Sequence, residues 1–239
     1  MDDAELERLL LEQVSYYRTR APEYDATSLE GQALDSGEDH QWLGEQDEAL
    51  RALTEFAPAG RVLELAAGTG QWTRHLVRWA NSITAVDASP EALAINRSRV
   101  DDPSVSHIAA DIFTWDTEER YDTVFFAFWL SHVPLSLFDN FWGRIASFLN
   151  PHGRVFFIDE RVPGGWTRAL YSEEDQDPGH VVSRTSGEHS FRIVKVFHQP
   201  EDLARALQRL DWEVEIESTG RWLYHGWGRP AEVPLPPGT

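Results

Sequence analysis

The chain has 239 residues, enough for one sizeable α/β domain with additions. Asp and Glu outnumber Lys and Arg by 40 to 21, and the net charge of −19 makes nucleic acid a poor substrate because such a field repels phosphate backbones. Cysteine is absent from the sequence, which excludes disulfides, thiolate metal sites and a cysteine nucleophile.

The N-terminal segment is acidic and amphipathic, whereas a signal peptide begins with basic residues and continues with an apolar run. Apolar runs also fall short of the roughly 18 residues that a membrane-spanning helix requires. We therefore expect a cytoplasmic protein without a membrane partner. Leucines at three- and four-residue spacing predict a helix over 2–19, and the polar segment 20–39 reads as a loop or lid.

From residue 40 onward, helical and strand-like segments alternate. An amphipathic helix is predicted over 40–56, and a further helix begins after Ser89, a natural N-cap. The alternation predicts a doubly wound, mostly parallel sheet. The other predicted strands are 61–66, 82–86, 105–109, 121–128 and 154–159, the other predicted helices are 71–80 and 138–149, and a turn is predicted at 150–153.

The pattern changes after residue 160. Segment 161–188 is rich in Gly, Asp, Glu and Ser, which indicates a loop insertion. A strand over 190–197, a helix over 200–210 and two closing strands over 212–218 and 221–226 follow, and the Pro-rich tail 229–239 is expected to be poorly ordered. The chain thus divides into a helix with a lid (1–39), an α/β domain (40–228) and a tail (229–239).

The segment Val-Leu-Glu-Leu-Ala-Ala-Gly-Thr-Gly at 62–70 leads from a strand through a glycine turn into a helix. At such a turn a ligand approaches the backbone closely, although a lone Gly-x-Gly also fits an ordinary tight turn. Asp87 ends the next strand, where a carboxylate accepts both hydroxyls of a ribose or caps the following helix. Asp111 follows the third strand, placed to accept an adenine amino group with Ile112 against the ring.

These positions together resemble the class I S-adenosylmethionine-dependent methyltransferases of the small-molecule type. The resemblance implies a Rossmann-like, seven-stranded sheet whose last strand is antiparallel, with an N-terminal helical cap. It also implies S-adenosyl-L-methionine as cofactor, with Glu64 facing the methionine amino group and Gly68 and Gly70 lining the methionine and ribose. Further cofactor contacts are expected at Ala66, Trp72, Thr73, Ala88 and Phe128.

The N-terminal segment is similar to the cap found in many small-molecule members. By that resemblance Tyr16 and Arg20 hold the methionine carboxylate, since Arg pairs with carboxylates in a bidentate manner. An ordinary aromatic helix end is the alternative reading. Tyr17, Tyr24 and Trp129 are expected to line an aromatic substrate pocket.

His132 follows the fourth strand, whose end faces the methyl group in this fold. We interpret His132 as a general base, a substrate-orienting hydrogen bonder, or a structural histidine bonded to the loop backbone. Glu160 is a second catalytic candidate, with a surface carboxylate as its alternative. The remaining histidines lack metal-ligand spacing, so a metal is not expected.

The sequence therefore predicts methyl transfer to a small molecule, such as a natural product, with oxygen as the favoured acceptor. Two alternatives stay open. One is a fold member that binds the cofactor but catalyses another reaction such as cyclisation, and the other is a non-catalytic regulatory protein that binds the cofactor. A monomer or a homodimer is expected.

Overall fold

The computed structural model describes residues 1–27, 37–161 and 180–231. Helix α1 (Asp3–Arg20) begins at Asp2, whose carboxylate accepts from the Glu5 amide at 2.8 Å. Acidic residues occupy its first turn and arginines its last turn, an arrangement that favours the helix dipole at both ends. The buried face of this helix includes Leu9 and Gln13.

A seven-stranded sheet forms the centre of the molecule, in the order β3-β2-β1-β4-β5-β9-β8. The pairs from β3 to β5 are parallel, and β9 is antiparallel to both of its neighbours. This confirms the predicted sheet and its antiparallel last strand. The strands are β1 (Gly60–Leu65), β2 (Ala80–Asp87), β3 (Val105–Ala109), β4 (Tyr121–Ala127), β5 (Leu149–Glu160), β8 (Trp212–Ser218) and β9 (Leu223–Pro230).

Helices cover both faces of the sheet because side chains of the central strand alternate between two cores. On one face Phe126 packs with Trp142, and on the other Phe125 packs with Leu53. The confirmed helices are α3 (Gly37–Phe56), α5 (Pro90–Val100), α6 (Phe138–Phe148) and α7 (Pro200–Gln208). As predicted, the Ser89 hydroxyl caps α5 by accepting from the Ala92 amide at 3.0 Å.

Two local predictions differ from the structure. The helix predicted over 71–80 is the single turn α4 (Thr73–Leu76), because the Trp79 amide bonds the Leu76 carbonyl and tightens the chain before β2 begins at Ala80. The turn predicted at 150–153 lies within β5. There the register against β4 shifts, and His152 takes a φ of +67°, so an irregularity rather than a free turn lets the strand continue.

The prediction of a loop insertion over 161–188 is wrong for its last residues. Residues Val181–Ser186 form β6, which pairs with β7 (His189–Val194) in a separate two-stranded sheet. Gly187, with φ +59°, makes the tight turn between them. Val182 and Ile193 of this hairpin bury themselves against α1, which explains why so polar a strand is stable. The rest of the insertion, 162–179, lies outside the described residues.

The lid and the tail are also more regular than predicted. A 3-10 turn (Ala21–Glu23) and the short helix α2 (Tyr24–Thr27) follow α1 directly, with Pro22 in the first turn where its missing N–H does no harm. Residues 28–36 lie outside the described part. Residues 229 and 230 extend β9 instead of beginning the tail, and 232–239 are not described. Within the described ranges, the helices are too short or too polar to cross a membrane.

Candidate functional site

One large cavity opens at the carboxyl ends of β1, β2 and β4, beneath α1 and α2, and encloses about 1050 Å³ including its open mouth. This is the position where open α/β sheets bind ligands. Its predicted lining residues are Ala66, Gly68, Trp72, Asp87, Ala88, Asp111, Ile112, Phe128, Tyr17, Tyr24, Trp129 and His132. Six predicted residues are absent from this wall: Tyr16, Arg20, Glu64, Gly70, Thr73 and Glu160.

The turn after β1 is held open by backbone conformations that favour glycine. Gly68 and Gly70 have φ values of +52° and +85°, and Ala66 shares the left-handed region at +53°. The Asp87 carboxylate accepts from the amides of Gly68 at 2.9 Å and Ser89 at 2.8 Å. Asp87 therefore joins the glycine turn to the start of α5 while its edge faces the cavity.

Glu64 is buried one layer below the cavity. Its carboxylate accepts from the Thr73 hydroxyl at 2.7 Å, and Asn96 in turn donates to that hydroxyl at 2.9 Å. Burial raises the pKa of Glu64 to about 8, with repulsion from Asp87 in the same direction and the Thr73 bond opposing both. Glu64 therefore holds a proton at neutral pH.

The far end of the cavity combines an acidic turn with aromatic rings. Asp111 accepts from the Phe113 amide at 2.8 Å, and Ile112 is buried beside it. Phe128 takes the left-handed region at φ +55°, a strained conformation for a bulky residue. Its ring stacks on Trp42 at 6.1 Å and meets Trp72 at 6.4 Å. Phe128 directly follows β4, so this conformation turns the chain away from the strand before Trp129.

A cluster of polar contacts around Asp25, which we call the polar latch, joins α2 to the glycine turn. The sequence analysis did not predict these contacts. The Asp25 carboxylate accepts from the Thr69 hydroxyl at 2.7 Å and from the Gln71 amide at 2.9 Å. Arg99 of α5 pairs with the same carboxylate. Hydrogen bonds from Arg99 and Thr69 lower the pKa of Asp25 despite its partial burial, which raises it. The latch couples the cover of the cavity to the turn beneath it.

His132 is buried and fully bonded. Its Nδ1 lies 2.7 Å from the Val194 carbonyl, so Nδ1 carries the proton and Nε2 the lone pair. The Tyr17 hydroxyl, 2.8 Å away, then donates to Nε2. Burial, together with the positive charge of Lys195, lowers the pKa of His132 well below its usual value. Burial likewise raises the pKa of Tyr17 well above 10, so both groups are neutral.

Glu160 is paired rather than free at the surface. Its carboxylate lies 3.0 Å from Nζ of Lys195, which also donates to the Ser131 hydroxyl at 2.9 Å. Lys195, the chain's single lysine, was not recognised from the sequence, because nothing in the local pattern marks a residue that meets the β4 turn through the hairpin. Gln13 was missed for the same reason, although a polar residue on an apolar helix stripe was the available signal.

Of the residues predicted to form the cap, Tyr16 packs against the β6–β7 hairpin whereas Tyr24 lines the cavity. Tyr16 is buried against the hairpin, and its hydroxyl accepts from Arg20 at 3.1 Å. The Arg20 guanidinium also lies over the Tyr24 ring, 4.9 Å from its centroid. Tyr24 itself lines the cavity. In the described ranges, His, Asp and Glu side chains form no group of three or more that would hold a metal ion.

Comparison with known proteins agrees with this geometry. Residues 62–153 match the family model described as "Methyltransferase domain". The solved complex of DhpI with SAM and HEP is 38% identical, with a TM-score of 0.77, over 93% of this chain and 98% of that chain. The chain belongs to the class I S-adenosylmethionine-dependent methyltransferases.

More distant matches are consistent with this family. Trans-aconitate 2-methyltransferase of Escherichia coli O157:H7 is 32% identical over 127 residues, which are 52% of this chain and 43% of that protein. The match thus spans less than half the length of that curated relative. The N-methyltransferase NodS of Bradyrhizobium japonicum WM9, solved with S-adenosyl-L-homocysteine, is 16% identical with a TM-score of 0.60 over 90% of this chain and 99% of that chain, and shows the fold alone.

The methyltransferase cavity suits its cofactor. Gly68, in a left-handed conformation, lets a ligand lie against the backbone, and the half-buried carboxylate of Asp87 ends β2, where an acidic residue suits a ribose. The enzyme is thus a methyltransferase that uses S-adenosyl-L-methionine.

Proposed function

We propose that this methyltransferase methylates an oxygen atom of a small molecule, and that the acceptor oxygen is acidic, as in a carboxylate. The observation that carries the proposal is the Tyr17–His132 pair, which lies in the cofactor cavity but has no strong base to offer. Bound S-adenosylmethionine supplies an electrophilic methyl group on a sulfonium.

The cofactor half of the cavity is assigned by position. Asp87 binds the ribose hydroxyls, Gly68 lets the ligand approach the backbone while Gly70 shapes the turn behind it, and Asp111 with Ile112 receives the adenine. Glu64 supports the methionine end of the site from beneath the wall, because its hydrogen bond holds Thr73 at the start of α4. Tyr16 and Arg20 support the same end through Tyr24, and Ala66, Ala88, Trp72 and Phe128 complete the surface.

His132 is best understood as an orienting group. A general base accepts a proton most effectively when its pKa is near the working pH, whereas that of His132 is lowered well below 6.5. Its Nε2 lone pair is also occupied by the Tyr17 hydroxyl. His132 therefore holds Tyr17 in one orientation, and the acceptor oxygen must be ionised before it arrives.

Local charge favours an anionic acceptor despite the net charge of −19. Burial is the main cause of the low pKa of His132, and the charges of Lys195, Arg184 and Arg20 lower it further, so cationic side chains lie near this end of the cavity. Glu160 offsets the charge of Lys195 through their ion pair. An anion is thus attracted to the one region where the methyl group is to be received.

The comparison with trans-aconitate 2-methyltransferase supports the same chemistry, because the substrate in its name is a carboxylic acid. That relative shares the 127 matched residues only, so the identity of the acid does not transfer.

The test is an incubation of the enzyme with S-adenosylmethionine and a panel of small carboxylic acids that includes trans-aconitate, beside matched alcohols and amines. We expect S-adenosylhomocysteine and a methylated acid whose methyl group is released by mild alkali, as a methyl ester requires. An alkali-stable methyl group, or turnover with the alcohols or amines alone, would contradict the proposal.

A further inference from the structure

Phe128 lines the cavity and is held in a backbone conformation that costs energy. Its φ of +55° lies in the left-handed region, which a side chain of this size rarely adopts. Such residues persist where surrounding contacts determine them, and they cluster at sites of function. Leu65 of β1 pairs with Phe126 of β4, so Phe128 follows β4 at the level where the glycine turn follows β1. Phe128 thus belongs to the cofactor half of the cavity.

Trp42 of α3 stacks on the Phe128 ring. The two ring centroids are 6.1 Å apart and the ring planes differ by 22°, whereas Trp72 meets Phe128 at an angle of 46°. Trp72 lines the cavity, but Trp42 is absent from its wall and is only 7% exposed. Trp42 therefore contacts the site through Phe128, from the interior of the protein.

The position of Trp42 is fixed by Glu45, which is buried and lies three residues further along α3. The Glu45 carboxylate accepts hydrogen bonds from the backbone amides of Arg221 at 2.7 Å, Trp222 at 2.8 Å and Leu223 at 2.9 Å. Hydrogen bonds to an ionised acceptor are stronger than neutral ones. They join α3 to the start of β9, where Trp222 and Leu223 pack with Trp42. Trp42 thus has little freedom to move away from Phe128.

We infer that Trp42 is a positioning residue for the cofactor, and that it acts by holding Phe128 in its left-handed conformation. The effect concerns cofactor binding alone and is independent of the methyl acceptor. Without the stacked indole, Phe128 relaxes to an ordinary conformation in the ligand-free protein. Cofactor binding then has to restore the strained conformation, and the affinity falls because the wall of the cavity is no longer preorganised.

Isothermal titration calorimetry with S-adenosylhomocysteine measures this effect in Trp42→Leu, which removes the stacked ring. We expect the Kd to rise about 10-fold, the factor that corresponds to restoring one strained residue. Trp42→Phe keeps a ring against Phe128 and should restore the wild-type Kd. Trp212→Leu is the matched control, because Trp212 is also buried but packs on Trp142 in the core and is absent from the cavity wall. Both Leu variants should melt earlier than the wild type, whereas only Trp42→Leu should bind S-adenosylhomocysteine more weakly.

A Trp42→Leu enzyme that melts earlier but keeps the wild-type Kd would show that Trp42 only stabilises the fold, and would overturn the inference. An equal loss of affinity in Trp212→Leu would overturn it as well. If Trp42→Leu does not fold, Trp42→Met makes the same comparison with a flexible side chain that fills the gap.

Phe128→Gly provides an independent check, since glycine adopts the left-handed conformation without strain and carries no ring. Adding Trp42→Leu to Phe128→Gly should leave the Kd of the Phe128→Gly enzyme for S-adenosylhomocysteine unchanged. A further rise in Kd in the double variant would mean that Trp42 acts by a route other than Phe128, which contradicts the inference.

Discussion

The Tyr17 hydroxyl donates to Nε2 of His132 over 2.8 Å, and this contact joins α1 to the turn after β4. The direction of the bond is set 62 residues away in sequence, because the Val194 carbonyl holds the other ring nitrogen in its protonated form. Three separate segments of the chain thus determine the orientation of one phenol.

Replacing Tyr17 with Phe is expected to lower kcat/KM about 10- to 100-fold, because small losses of alignment slow methyl displacement strongly. The fold should be retained, since Phe fills the same volume. Steady-state kinetics with the acid identified by the panel measure the effect. Tyr121→Phe, at the opposite end of β4, is the matched control. Equal activity in the two variants would remove Tyr17 from the site.

Replacing Glu64 with Gln is expected to change how stability depends on pH. The pKa of Glu64 rises from 4.5 to about 8 on folding, so the native state binds the proton more tightly than the unfolded chain. The stability that this proton contributes is complete below pH 4.5 and is lost as pH rises toward 8. The loss is on the order of 5 kcal/mol.

Gln mimics the protonated acid and keeps an acceptor for Thr73. The Tm of the ligand-free variant should therefore rise relative to that of the wild type as pH increases from 5 to 8. Thermal melts across that pH range measure the difference. A constant difference in Tm between variant and wild type at all pH values would show that Glu64 does not titrate in this interval.

Replacing Asp25 with Asn is expected to weaken the latch over the glycine turn. The variant loses the ion pair with Arg99 and retains one acceptor for Thr69 and Gln71. Because the pair is partly exposed, we expect a moderate effect, with S-adenosylhomocysteine dissociating about 5-fold faster. Stopped-flow fluorescence measures this rate. Asp202→Asn, which breaks an exposed pair on α7, should leave it unchanged, and equal rates would contradict a closing role.

Replacing Gly70 with Ala is expected to destabilise the ligand-free protein by about 3 kcal/mol. An added Cβ would lie 2.8 Å from Cγ of Asn96, and φ is +85°. Gly187→Ala is the control, since its φ of +59° imposes the same left-handed strain in open space. Denaturant unfolding should show a loss near 1 kcal/mol for Gly187→Ala. Similar losses of stability in both variants would mean that the Asn96 side chain moves aside without a measurable cost in the free energy of unfolding.

The sequence predicts the fold well where the signal is local. Strands of the parallel sheet are apolar runs bounded by turns, and Ser89 caps its helix through its own neighbours. Strand β6 escaped prediction because its stability comes from pairing with β7 and from α1, not from its own composition. When a hairpin partner stabilises a strand, the strand's own residues need not show a clear β-strand pattern.

The same distinction holds for the site. Gly68, Asp87 and Asp111 each follow a predicted strand, so position alone pointed to the cavity. Asp25 and Lys195 act through contacts that cross 35 or more residues, which no local pattern encodes. Glu64 was expected at the ligand, and its place behind Thr73 depends on a side-chain direction that the strand pattern does not specify.

The β6–β7 hairpin has a consequence for synthesis. Gln13 on the buried face of α1 bonds the Val194 amide across 181 residues, and Leu9 packs against Val194 and Val196. During translation, α1 is synthesised long before the hairpin. Its apolar stripe therefore stays uncovered until most of the described chain has been made. The contacts between α1 and the hairpin therefore span most of the described chain, and contacts of such long range form slowly because closing the intervening loop costs entropy.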